Sequence, residues 1–203
     1  MFLFRKLSCH FRKHKLSYLI LLILVLLGFL AGCFYANLIS ESEFTQAGKA
    51  AEQFISEAKA NELSFRLMLS EELSPFLFIA FFSLFLAGIL PSVFLLFKWG
   101  FSSGFFLTFL VKCFFLKGFF LGGFFLFLNL LFFLPSLLFL TNQSIRLNRF
   151  IMACVSHQVS TKRTITEELI GMSAVTLIAI LGVSTGVFLK FLLLSPLCNY
   201  LFL

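Results

Sequence analysis

The stretch WGFSSGFFLTFLVKCFFLKGFFLGGFFLFLNLLFFLPSLLFL, residues 99–140, decides the fold class. It is one long apolar run whose charged residues are Lys112 and Lys117. No soluble domain can bury so much contiguous apolar chain, whereas a bilayer dissolves it without cost to its side chains. The second half, Gly118 to Leu140, is long enough to cross about 30 Å of hydrocarbon. The first half, Trp99 to Val111, is short. Either Lys112 snorkels to the far interface and this half crosses too, or it is re-entrant and shielded by protein.

Working outward, the same character covers the chain. Of its 203 residues 60% are hydrophobic and only 12% charged, against about half and a quarter in soluble domains. Mean hydropathy is +1.03. The 33 phenylalanines, with no aspartate at all, fit an AT-rich codon drift that lipid opposes weakly. Upstream, Leu16 to Ile39 follows a basic segment and is too long for the apolar part of a cleaved signal peptide, so it reads as a first span. Ser74-Pro75 has the form of a helix start, with a span over 75–97 that contains Gly88 and a kinking Pro91. Downstream lies a basic segment, 141–167, and then a last span. The expected architecture is all-α and polytopic, a single integral membrane domain with spans near 17–39, 75–97, 99–116, 118–140 and 168–194, the third of them either crossing or re-entrant.

Residues 40–74 stand apart. They hold seven of the nine glutamates. Ser40 and Glu43 have capping-box spacing, and Phe44, Ala47, Ala51, Phe54 and Ala58 recur at helical spacing. An amphipathic helix is expected here, lying on the membrane or docked on the spans. Phe44, Phe54 and Ala58 are candidates for a partner surface, the plain alternative being a solvated connector. A second capping-box spacing, Thr164 with Glu167, announces the last span.

The net charge of +7 is distributed as topology signals rather than as a nucleic-acid footprint, so no nucleic-acid partner is expected. With five spans and the N terminus in the cytoplasm, ten Lys/Arg fall inside and six outside. The excess favours N-in and C-out; a re-entrant segment would return the C terminus inside.

Catalytic, metal and cofactor sites are not evident. The five cysteines are scattered without a pairing pattern. Glu167-Glu168 resembles the start of an intramembrane protease motif, but no arginine follows at the needed distance and no histidine comes later. Cys9, His10 and His14 fit a headgroup-facing basic segment better than a metal site. Lys98, Lys112, Lys117 and Lys190 all fall within snorkelling reach of expected interfaces, and no acid falls within an expected span, which weighs against ion-coupled transport. The glycines are the better motif. Gly100-x-x-x-Gly104 lets a neighbouring helix approach closely. Gly118, Gly122 and Gly123, and then Gly171, Gly182 and Gly186, are candidates for the same role.

Gly88-Ile-Leu-Pro91 leads through Phe97-Lys98-Trp99 to Gly100; Gly104-Phe105, Phe109-Leu110-Val111 and Gly118-Phe119 follow. In these landmarks, from Gly88 to Phe119, the chain resembles the stage II sporulation protein M family of polytopic membrane proteins. Pro135 matches a family proline, and Leu194-Ser195-Pro196 the closing Ser-Pro. The chain departs from the pattern at Leu128, where a proline is common, and at Thr108 and Phe115, where the resemblance implies glycines. Asn129 is close to a polar family position, and an acid common in the last span is replaced near Lys190. The resemblance implies a membrane scaffold that recruits peptidoglycan-remodelling partners, the stage II sporulation proteins D and P, during engulfment. A second expectation is a small membrane subunit of a transporter, with its substrate site in broken segments around Gly100–Gly118.

Overall fold

The computed structural model describes residues 15–60, 62, 64–83, 85, 89–155 and 162–202. Gly88 lies outside the described residues, as do Cys9, His10 and His14 of the basic segment. Every element is helical: α1 (Lys15–Leu38), α2 (Glu41–Ala60), α3 (Phe65–Phe82), α4 (Ile89–Leu128), a π-helical turn (Asn129–Phe133), α5 (Leu134–Val155) and α6 (Lys162–Leu201). Three stretches, Lys15–Leu38, Ile89–Ala153 and Leu169–Leu201, are long and apolar enough to cross a membrane.

The second stretch is a hairpin. At Phe115 the backbone leaves the helical region, with φ 49° and ψ −123°, and the chain folds back. A Cβ on Gly118 would lie 1.9 Å from the Leu110 carbonyl oxygen, and one on Gly122 would lie 2.8 Å from a Leu107 methyl. Phe106 meets Phe125 edge-on across the same contact. The residues on either side of Phe115 therefore form two tightly packed antiparallel limbs. Phe115 is the only described non-glycine residue with positive φ, and it stands where the family resemblance implies glycine.

The helix starts differ from those expected. Ser74-Pro75 does not open a helix. Pro75 lies inside α3, which begins ten residues earlier. Nor does Pro91 kink a span over 75–97. The break comes before it, with Ser83 and Phe85 outside the helices, and Pro91 sits in the first turn of α4, where its missing N–H would have had no partner. Likewise α6 is already helical at Lys162, so Thr164 is not its cap. Only one half of the Ser40–Glu43 box forms: the Glu43 carboxylate accepts from the Ser40 amide at 3.4 Å, while the Ser40 hydroxyl donates to that carboxylate at 2.8 Å rather than capping the Glu43 amide. The π turn has a local cause. Pro135 has no N–H for the Leu131 carbonyl and its ring would crowd it; one extra residue in the turn relieves both, and the Leu134 amide reaches back five residues to the Asn129 carbonyl.

Two ends of the bundle can be told apart. At one end are the Phe115 turn, the end of α6 and α2, which lies across both. Phe44 packs on Phe109, Phe54 on Phe125, and Ile55 and Ala58 form a cluster with Leu110, Leu121, Leu194 and Cys198. Lys59 Nζ donates to the Phe202 carbonyl at 2.8 Å, and Lys112 Nζ to the Ala36 carbonyl at 2.9 Å, so cations sit on the exposed carbonyls of two helix ends. At the other end the Asn148 amide donates to the Ser83 carbonyl at 3.1 Å, and the Ser92 and Ser144 hydroxyls pair at 3.2 Å.

Candidate functional site

The amphipathic stripe of α2 does not face outward. Ala58 is 1% exposed, and Phe44 and Phe54 are partly covered by the bundle. This corrects the expectation that Phe44, Phe54 and Ala58 offer a partner surface: their apolar faces are occupied within the chain. The face that α2 does present carries Glu41, Glu43, Lys49, Glu52, Gln53 and Ser56.

The glycines resolve into a seam. A Cβ on Gly100 would lie 2.3 Å from the Val25 carbonyl oxygen, and one on Gly104 would lie 2.1 Å from that of Phe29. The partner helix supplies the same spacing. Gly28 and Gly32 would place a Cβ 2.4 and 2.0 Å from the carbonyl oxygens of Phe97 and Phe101. Sequence reasoning missed this second pair, although Gly28-x-x-x-Gly32 carries the same signal. The four glycines let α1 and α4 run parallel with backbone against backbone. Gly182 and Gly186 seat the last helix on Ser136 and Phe132. By contrast, Gly123 faces open space and Gly171 meets only an ordinary contact with Gln143, so neither does the packing work expected of it. Pro135 is exposed and acts through the π turn.

The seam also sets a depth scale. Gly28 lies opposite Phe97 and Phe101, and Gly100 opposite Val25 and Phe29, so Trp99 is level with the middle of α1. Trp99 stacks on Phe133 with centroids 5.3 Å apart, and Phe76 meets the same ring edge-on at 4.8 Å. One turn from Phe76, within about 6 Å of that level, is Glu72. Lys190 Nζ donates to the carboxylate of Glu72 and to the side-chain oxygen of Asn129. Lys190 is 2% exposed and Glu72 26%.

This corrects two expectations. Lys190 does not snorkel to an interface; it is buried and paired. Glu72 is not a loop acid; it belongs to a helix and lies close to the depth of the α1 midpoint. The triad ties three segments far apart in sequence, and Asn129 opens the π turn that Pro135 requires. Ionisable groups at that depth are costly unless paired, and such a pair holds only with good geometry. Lys98, one residue from Trp99, also lies opposite the middle of α1.

Among the described residues no three His, Cys, Asp or Glu side chains come together as metal ligands would. Cys33, Cys113 and Cys198 are free thiols, and Cys33 donates weakly to the Gly104 carbonyl at 3.5 Å within the seam. No family model, no curated protein and no solved structure matches the chain.

Proposed function

We propose that this chain is a cell-membrane scaffold with its N terminus in the cytoplasm, crossing the bilayer five times through α1, α3, the two limbs of the hairpin and α6. In this reading α2 is extracytoplasmic and serves as the platform for peptidoglycan-remodelling hydrolases during engulfment, the stage II sporulation proteins D and P or similar enzymes. The observation that carries it is the seating of α2. Its apolar stripe is clamped on the bundle end by Phe54, Ile55 and Ala58, and Lys59 pins it to Phe202. A helix held this way offers its polar, acidic face in one orientation, which suits a surface that must bind without reacting. The family resemblance supports the identity of the partners, and the positive-inside excess supports the orientation.

The test is affinity purification of a tagged copy from its host during sporulation, with mass spectrometry of the recovered proteins. Stoichiometric peptidoglycan hydrolases are expected, and their recovery should fall when Glu41, Glu52 and Gln53 are changed together to Ala. Recovery without any hydrolase would overturn the reading. A transporter subunit is the second reading, and the Glu72–Lys190–Asn129 triad favours it, since charges held near mid-depth commonly belong to transport pathways. Stoichiometric recovery of an ATPase would replace the scaffold with that alternative.

A further inference from the structure

Two more charges lie near the middle of the bundle, and neither the seam nor the ion pair accounts for them. Glu71 and Lys98 line one groove of about 760 Å³ between α3 and the first limb of α4, with Trp99 and Phe133 among its walls. Both are exposed to that groove, and among the described residues neither has an ion-pair or hydrogen-bond partner. Lys98 is level with the midpoint of α1, so each end of that helix is about 17 Å away, beyond a lysine's snorkelling reach. Glu71 is one residue from Glu72 and projects to the other side of α3. Pro75, also in the groove wall, has no N–H to return to the Glu71 carbonyl. The rest of the lining is mostly apolar, Phe94 included, with Ser74 and Ser102 adding two hydroxyls. The groove thus presents one cation and one carboxylate in a largely hydrocarbon-like slot.

Lipid chains alone would leave both charges uncovered, which a low-dielectric setting penalises strongly. The complement is a ligand that brings an anion and a hydrogen-bond-donating cation on one apolar body. We propose that the α3–α4 groove binds a phospholipid with a phosphoethanolamine headgroup, its phosphate on Lys98 and its primary ammonium on Glu71. The ammonium offers three N–H donors to the carboxylate; choline's trimethylammonium offers none. A phosphatidylglycerol would satisfy Lys98 and leave Glu71 bare. The site would hold a headgroup well below its usual interface. The inference depends on the chain's placement in a membrane and not on the scaffold reading.

The test uses the purified full chain in mild detergent, titrated with palmitoyl-oleoyl phosphatidylethanolamine, phosphatidylcholine or phosphatidylglycerol and read by native mass spectrometry. Phosphatidylethanolamine is expected to bind about tenfold more tightly than either of the others, the weight of one charge-assisted contact. Glu71→Gln should remove that preference, and Lys98→Met should weaken the binding of all three lipids. Equal binding of the three lipids, tighter binding of phosphatidylglycerol, or an undiminished preference in the double variant would overturn the proposal. Should the variants fail to fold, the wild type decides alone: phosphatidylethanolamine must raise its Tm more than the other two lipids do, and equal shifts overturn the site.

Discussion

The α1–α4 seam and the α3–α6 joint hold the same bundle together by opposite means. In the seam, Gly28, Gly32, Gly100 and Gly104 have no side chains, and the stability comes from backbones brought close enough for dispersion and weak Cα–H contacts to carbonyls. In the joint, a lysine, a glutamate and an asparagine meet near mid-depth, and little is gained unless all three are present. Lipid removes the hydrophobic drive for helices to associate, so a chain of this kind is left with close fit or with polar pairing. The seam tolerates no added atom. The joint tolerates no missing charge.

The largest expected effect breaks the joint. Lys190→Met leaves Glu72 in place without its cation, and the folded state should lose about 3–5 kcal/mol, read as a fall in the unfolding midpoint in detergent. The double variant Lys190→Met with Glu72→Leu should recover most of that loss, because an apolar pair of similar volume replaces the ion pair. Additive losses in the double variant would show that the triad is not a coupled unit. Next comes the seam. Gly104→Leu must push α1 away from α4 and should cost about 3 kcal/mol in the same assay, whereas Gly123→Ala, facing open space, should be neutral or gain up to about 1 kcal/mol. Equal responses at the two glycines would mean that close approach is not what the seam requires. The smallest effect concerns neither. Phe115 is 78% exposed and held at φ 49°, a conformation that side chains rarely adopt. Phe115→Gly should therefore stabilise the chain by about 1 kcal/mol, seen as a higher Tm.

The seam was half legible in the sequence and the joint was not, for a physical reason. Close approach is written locally: two glycines four apart lie on one helix face whatever that face meets, so Gly100 and Gly104 announce a contact before its partner is known. Gly28 and Gly32 carry the same mark inside a run whose length alone seemed to explain it. The helix start after Ser40 and the stripe on α2 are equally local, and both formed; which side the stripe faces is not local, and there the expectation failed. The joint depends on register between helices. Glu72 reads as a loop acid because Ser74-Pro75 has every feature of a helix start, and only tertiary packing shows that α3 continues through Pro75. Lys190 is eleven residues from the end of α6, close enough to an expected interface to pass as a snorkelling cation. Neither residue indicates the other, and Asn129 is aimed by a π turn whose cause, Pro135, lies six residues away.

The seat of α2 bears on how the protein is made. Lys59 is bonded to a carbonyl 143 residues later in the chain. The wall against which Ile55 and Ala58 pack is completed by Leu194 and Cys198. During synthesis, α2 therefore leaves the ribosome long before its seat exists. Throughout that interval its apolar stripe must lie in the headgroup region or be held by something else, and the platform locks only when α6 has been inserted.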